Sequence, residues 1–327
     1  IPIGYLLLRL FEGFEAALAE LARARTLELL LNTIGLTVSV SLTALAIGAV
    51  QAWLTVRTNL PLAPVFAVLA TLPLAIPSYV LALGYLSVFP SFSGFWAAWF
   101  TLSLATSPYV FLALSAALIS SNFAAEEVAR SLGKNRWQVI QSVTWPQVRP
   151  AAFASVLLVA LYTLSEFGAI AILRFDTFTR AIYNAYRGSF DRTSAAALAL
   201  VLVALTLVVI YFERRYRGDR WQAPTAAGRK RRIDLGRARI LAAFGLGIIG
   251  LFGAGVPLVS LIGWSVNQTG FDLLRLGELV ASSLAVAIAA GVVIGIFALA
   301  ISVWNLRYSS RLSGAVDLTA WAAHALP

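Results

Sequence analysis

Apolar residues run in long blocks along this chain, separated by short polar breaks. Blocks near residues 30–56, 62–88, 95–120, 150–173, 195–213, 240–266 and 280–304 each match the roughly 20 residues that a helix needs to cross about 30 Å of hydrocarbon. None shows the in-out alternation of a membrane-barrel strand. Two further blocks read as cut spans: Ile1 to Leu10 as the end of one, and the stretch from Ser313 to Pro327 as the start of another, too short to cross. The pattern predicts an all-α, polytopic transmembrane helical bundle with about seven complete spans and two truncated ones. The chain contains no methionine at its start or elsewhere, so it is expected to be a fragment open at both ends, in which no signal peptide can be sought.

Composition removes the soluble alternative. The chain is 60% hydrophobic and 12% charged, with a mean hydropathy of +0.83, far from the mix that covers a water-exposed globule. It has no cysteine, which excludes disulfides and thiolate metal sites. His324 stands alone, and no metal site is expected. The net charge of +10 gathers in one place. Between Glu213 and Arg239, Arg214, Arg215, Arg217, Arg220, Arg229, Lys230, Arg231, Arg232, Arg237 and Arg239 face only Glu213, Asp219 and Asp234.

Such a basic loop stays on the cytoplasmic side of a membrane. Counting spans outward from it puts residues 123–149 and the short turn at Arg57 on the same side, and the loops at 11–29, 174–194 and 267–279 outside. Arg174, Arg180, Arg187 and Arg192 on the outer side run against the charge rule, so the orientation rests on the basic loop. A nucleic-acid groove would interleave aromatic rings with its arginines. Only Tyr216 and Trp221 lie among these, and no nucleic-acid partner is expected.

The basic segment 214–239, with Pro224 and Gly228, is the one clear linker, dividing residues 1–213 from 240–327. Moving the sequence on by 250 lays Asn32-Thr33 on Ser282-Ser283, Arg57 on Arg307, and Ala75-Ile76-Pro77 on Ala325-Leu326-Pro327. Identities are few, but the hydropathy agrees: a span, an arginine-bearing turn, then a span with an apolar residue before proline. The reading is one nearly complete repeat followed by the opening of a second, running the same way through the membrane. The intact chain is then expected to continue for on the order of 150 residues beyond Pro327 and to carry a second polar island.

The first polar island lies at 126–146. Glu127-Val128-Ala129 is followed after three residues by Gly133, and nine residues later by Val143-Thr144-Trp145-Pro146. Asn122 can cap a helix in whose first turns Glu126 and Glu127 complement the dipole. Gly133 can end it in a left-handed conformation. Asn135 can cap a second short helix over Arg136 to Thr144, which Pro146 is expected to stop. The result is a helix-turn-helix offering Ala129, Leu132 and Trp137 to a partner.

This spacing resembles the cytoplasmic Glu-Ala-Ala loop of binding-protein-dependent ABC importers, with Val128, Val143 and Trp145 where that pattern has alanine, isoleucine and leucine. Leu31-Asn32-Thr33, Ala75-Ile76-Pro77-Ser78-Tyr79, Ser165-Glu166-Phe167-Gly168-Ala169 and Thr177-Phe178-Thr179-Arg180-Ala181-Ile182-Tyr183 resemble segments of the ferric-iron type of permease. In that type two permease repeats are commonly fused in one chain. The resemblance implies a type I importer permease fold in a prokaryotic inner (plasma) membrane. It also implies two copies of a separate ABC ATPase beneath the cytoplasmic loops and an extracytoplasmic substrate-binding protein above. Glu126, Glu127, Ala129, Gly133, Trp137, Val143 and Pro146 then form the ATPase-coupling loop.

No Gly-x-x-x-x-Gly-Lys-[Ser/Thr] phosphate loop occurs, so the chain is expected to be no enzyme and to hold no cofactor, ATP being bound by the partner. Glu166 falls inside an apolar block, where an ionisable group costs a few kcal/mol unless it faces protein, water or a partner. It reads either as part of a translocation pathway or as a structural carboxyl. Pro73 and Pro77 predict a kinked span, with Pro77 beside a pathway in the functional reading, and Gly84 a close helix approach. Arg174, Asp176, Arg180, Arg187, Asp191 and Arg192 form a charged loop that could dock a binding protein or merely be solvated. Ferric iron is the expected substrate; the alternatives are thiamine or another small solute, or a secondary carrier that needs no ATPase.

Overall fold

A computed structural model describes residues 4, 6, 13–188, 192–217, 232–267 and 273–307. The cut spans read at the two ends therefore lie outside the described residues, Gly4 and Leu6 apart, as does the linker from 218 to 231. The described residues are helical, with one isolated backbone bridge between Thr58 and Ile233. In order they are α1 (Phe14–Leu21), α2 (Ala24–Arg57), α3 (Ala63–Thr71), α4 (Ser78–Val88), α5 (Phe95–Ser120), α6 (Phe123–Ser131) and α7 (Arg136–Ser165). There follow α8 (Gly168–Ile172), α9 (Phe178–Tyr183), α10 (Arg192–Arg217), α11 (Ala238–Gly250), α12 (Val256–Asn267) and α13 (Leu273–Arg307). Among these residues six helices are long and apolar enough to cross a membrane, α11 and α12 counting as one because a π turn over Leu251–Gly255 joins them, and a broken pair adds a seventh crossing if it counts as one span.

The chain divides into two units, one running to Ser260 and one from Leu261 to His324. In the first, α2, α5 and α7 pack together. Residues Leu29, Thr33, Leu36, Val40, Ala44, Gly48 and Ala52 recur at three- and four-residue steps on α2 and make its buried seam. Of these, Leu36, Val40, Ala44 and Ala52 cluster with Leu102, Val110, Phe111 and Leu114 of α5, and Val148, Ala152 and Val159 of α7. Between helices in lipid there is no hydrophobic gain to drive contact, so close van der Waals packing must hold them. That accounts for Ala44, Ala52, Ala97, Ala98, Ala151 and Ala152 at the contact. Two buried hydroxyls on α5 bond within the helix, Thr106 Oγ1 donating to Leu102 O at 2.7 Å and Ser107 Oγ to Leu104 O at 3.2 Å, whereas those of Thr101, Ser103 and Ser115 have no hydrogen-bond partner among the described residues.

The second unit holds α13. Its end coincides with that of α2 moved on by 250 residues (57 + 250 = 307), and its start comes one residue before the shifted start (24 + 250 = 274).

Three expectations change. Residues 62–88 form two helices and not one kinked helix. The segment Ala63–Ala75, whose last turn is 3-10 over Leu72–Ala75, stands at 99° to α4. Pro77 disfavours the helical conformation in the residue before it, and Ile76 is extended at φ −111°, ψ 119°. Pro73 removes a second donor four residues earlier.

Pro146, next, does not stop a short helix before the following span. The helix that Asn135 caps runs on from Arg136 to Ser165. A wide π turn over Ile140–Thr144 precedes the proline, so its missing amide falls where the regular ladder is already interrupted. Gln147 Nε2 adds a donor to Val143 O at 2.9 Å. Third, α10 continues to Arg217 and α11 starts at Ala238, so helix enters both ends of the segment 214–239 that reads as linker.

Gly84 behaves as the sequence suggests. A Cβ there would lie 2.7 Å from both Cα and Cβ of Pro257, so only glycine lets α4 approach α12 this closely.

Candidate functional site

The polar island folds as two helices around a tight turn. Asn122 Oδ1 accepts from Ala125 N at 3.2 Å, capping α6. At its other end Gly133 takes φ +83°, while Gly133 N donates to Arg130 O at 2.9 Å and Lys134 N to Ala129 O at 3.1 Å. These are the paired bonds of a Schellman ending. Asn135 and Gln138 then form a reciprocal capping box, each side chain accepting from the other's amide at 2.9 Å.

Three side-chain links tie α6 and the turn to the start of α7. Asn122 N donates to Gln147 Oε1 at 2.7 Å, Thr144 Oγ1 to Glu126 Oε1 at 2.9 Å, and Lys134 Nζ to Ser142 Oγ at 3.0 Å. The π turn thus includes Thr144, the residue whose hydroxyl reaches Glu126.

Glu126 is buried, and its partner is Arg57 at the end of α2. Arg57 Nη2 lies 2.8 Å from Oε1 and Nη1 3.2 Å from Oε2. Nη2 also donates to Ser121 Oγ at 2.6 Å, and the guanidinium sits 4.1 Å from the centre of the Phe123 ring. Taking two charges out of water is costly unless geometry and further hydrogen bonds compensate. Here the two-pronged pair, two hydroxyls and an aromatic face supply most of that compensation, Arg57 Nε being left without a hydrogen-bond partner among the described residues.

The buried face of α6 is Phe123, Glu126 and Ala129, at three-residue steps. Ala129, expected to be offered to a partner, is instead only 6% exposed. Leu132 and Trp137, at 75% and 73% exposed, are presented as expected, joined by Glu127, Val128 and Trp145. In the sequence Arg57 marks only the side of its turn. A lone cation ending an apolar run, on the side that carries the paired glutamates, was the available signal for this buried pair.

A second cluster forms where helices break. Glu166 is not inside a span but just past the end of α7, in extended conformation. Its carboxylate, in a residue 9% exposed, accepts from Ser78 Oγ at 2.8 Å and from Ala169 N at 2.9 Å. It thereby joins the first residue of α4 to α8. Thr179 Oγ1 donates to Glu166 O at 2.8 Å, Thr33 Oγ1 accepts from Phe178 N at 3.2 Å, and Asn32 Nδ2 donates to Asp176 O at 3.1 Å. Residues 31–33, 75–79, 165–169 and 177–183, scattered over some 150 positions of sequence, therefore meet in one place. Pro77 takes part through its backbone, setting up the start of α4. In the charged loop nearby, Asp176 pairs with Arg180 at 2.7 Å. Among the described residues no cluster of histidine, cysteine or carboxylate could hold a metal.

Residues 44–217 match the model of the family described as binding-protein-dependent transport system inner membrane component. The chain is 32% identical over its whole length to the Fe(3+)-transport system permease protein FbpB 2 of Haemophilus influenzae, of which it covers 66%. It is 29% identical over half its length to the sulfate transport system permease protein CysT of Escherichia coli, again covering 66% of that protein. Over 65% of its length it is 23% identical to the molybdate/tungstate transport system permease protein WtpB of Thermococcus kodakarensis, covering 88%. The chain thus spans slightly under two thirds of the first two of these relatives.

Proposed function

Because the chain belongs to the inner-membrane components of binding-protein-dependent transport systems, we propose that it is the membrane path by which ferric iron, handed over by an extracytoplasmic binding protein, enters the cytoplasm at the expense of ATP hydrolysed by a separate subunit. The similarity to the ferric-iron permease extends over the whole chain, whereas that to the sulfate and molybdate permeases covers half to two thirds of it. That difference favours iron over an oxyanion. Family membership also favours an ATP-driven importer over a carrier that follows an ion gradient.

The observation that carries the mechanism is the rigid unit at 122–147. Its exposed Glu127, Val128, Leu132 and Trp137 face outward while Glu126 is gripped by Arg57. An element that is stiff, anchored on α2 and continuous with a membrane helix transmits displacement without absorbing it. Two ATPase subunits closing on ATP beneath this loop, and beneath its counterpart in a second repeat, would move α7 and shift the bundle between inward-open and outward-open states. Glu126, Glu127, Ala129, Gly133, Trp137, Val143 and Pro146 are the coupling residues in this reading, Ala129 from the buried side.

Both oxygens of Glu166 are occupied by donors of the chain itself, which supports a holding role at the helix breaks more than that of an iron ligand. The matching α2 and α13 support a fused pair of repeats with its boundary in the basic segment.

The test is uptake of radioactive ferric iron by liposomes holding the intact permease and its ATPase, with the binding protein added outside. Iron entry that needs both ATP and the binding protein, and that excess sulfate or thiamine leaves unchanged, is expected. Competition by sulfate or thiamine would replace iron as the substrate, and entry without ATP would overturn the importer reading.

A further inference from the structure

The cation that grips the coupling loop is itself held from behind. Near the end of the segment 214–239, residues 233–235 lie against the end of α2. Ile233 N donates to Arg57 O at 2.8 Å, and Asn59 N donates to Ile233 O at 3.1 Å. The Asn59 side chain reads the next two positions, its Nδ2 donating to Asp234 Oδ1 at 2.7 Å and its Oδ1 accepting from Leu235 N at 3.0 Å. Gly236 N donates to the same Asp234 oxygen at 2.9 Å, closing a turn that leads into α11 two residues later. Thr58, between the paired residues, is fully buried.

One step further along, Leu60 and Ala63 pack with Leu246 of α11, and Leu54, Phe66, Ala242 and Ala243 complete the cluster. Residues 57–63 are thus held on two sides. The Arg57 side chain reaches the coupling loop, while its carbonyl and the next two residues bind the segment that opens the second repeat.

We propose that Arg232–Leu235 is a positioning strap: by pairing with Arg57–Asn59 it fixes the end of α2, and through the Arg57–Glu126 pair it sets the coupling loop of the first repeat relative to the first helix of the second. Four hydrogen bonds across some 175 residues, two of them from one asparagine side chain, are more than a chain needs merely to pass from one span to the next. They meet the one residue through which α2 holds Glu126. In this reading displacement of α11 reaches the loop through the paired backbone and the guanidinium. The proposal rests on the reading of 122–147 as the ATPase-coupling loop, and Asn59 and Asp234 act through Arg57, touching neither substrate nor ATPase.

The experiment measures ATP hydrolysed per iron imported, using the intact permease, its ATPase and its binding protein in liposomes. Asn59→Asp sets two carboxylates face to face and is expected to raise that ratio about fivefold, since like charges in contact repel. Combining it with Asp234→Asn restores a donor opposite an acceptor and should return the ratio to within about twofold of the parent. An unchanged ratio in Asn59→Asp, or one that the double exchange fails to restore, overturns the strap.

Gly133→Val, assayed alongside, separates the two readings. If it too leaves coupling intact, the coupling loop is misassigned; if it uncouples while Asn59→Asp does not, the strap alone fails. Should Asn59→Asp not fold, the absence of native cysteine permits a second route. Asn59→Cys with Asp234→Cys should cross-link on oxidation in the membrane and couple better oxidised than reduced. No cross-link, or no difference on oxidation, overturns the proposal.

Discussion

Arg57 holds Glu126, and not its neighbour Glu127, across 69 residues of sequence, with both carboxylate oxygens within 3.2 Å of the guanidinium. Removing one member of a buried pair leaves the other charged and uncompensated, at a cost of about 3–5 kcal/mol. Glu126→Ala and Arg57→Met are therefore expected to lower the thermal unfolding midpoint of the detergent-solubilised protein steeply. Glu127→Ala, on the exposed side of the same helix, should stay within about 0.5 kcal/mol of the parent while weakening capture of the ATPase in a pull-down. Equal midpoints for the two glutamate variants would show that the pair does not form.

Gly133 stands at φ +83° with open space around its Cα, so a side chain there is opposed by backbone strain and not by a clash. Gly133→Val is expected to disturb the turn by about 1–2 kcal/mol or more. Membrane insertion should be normal and ATP-dependent uptake lost, read by fractionation and by uptake in the same cells. Gly133→Asn, which tolerates the left-handed region, should recover much of the uptake. A fully active valine variant would count against a rigid turn.

Glu166 offers a clean division between holding and binding. Glu166→Gln keeps one acceptor for Ala169 N and a polar group for Ser78, so stability and iron uptake should both stay close to those of the parent. Glu166→Ala leaves both donors unmet, at about 1–3 kcal/mol each where they are buried, and should unfold more easily. Loss of uptake in the glutamine variant with an unchanged unfolding midpoint would instead place the charge in the ion path.

Asp234 has a carboxyl held below its ordinary value, first by the Gly236 amide, then by the Asn59 side chain and by Arg239 nearby. A lowered value means that the charged form is favoured on folding. Its contribution is present above the ordinary carboxylate value and is lost only as the pH falls through the lowered one. Hydrogen exchange at the Ile233 and Leu235 amides, corrected for intrinsic rate, should show protection unchanged from about pH 5 to 8 and loss only in stronger acid. A transition near neutrality would assign the strap's strength to another group.

Much of this was legible in the chain. The apolar blocks located the spans, the α5 block to the residue, because a long unbroken apolar run in lipid has no alternative to a helix. Asn122, Gly133 and Asn135 announced the loop because capping is a local event, written within four residues. Pro77 and Pro146 were harder. A proline's missing donor is visible in sequence, but whether the chain breaks, as at Ile76, or widens its helix by a π turn, as before Trp145, depends on what packs alongside. The Arg57–Glu126 pair and the bonds of Asn59 join residues tens to hundreds of positions apart, and nothing in their own surroundings names the partner. The four segments meeting at Glu166 could be picked out singly by resemblance; that they meet is a property of the fold.

The bonds between residues 57–59 and 232–235 lie wholly to the C-terminal side of residues 218–231 on one strand and far upstream of them on the other. Peptide continuity through that stretch is therefore supplemented by a non-covalent link between the two halves. A chain cut there would leave each half carrying its own side of the clasp, together with Leu60 or Leu246 of the apolar cluster beneath it. A gene divided at this point is then expected to yield two polypeptides that reassemble in the membrane through that clasp.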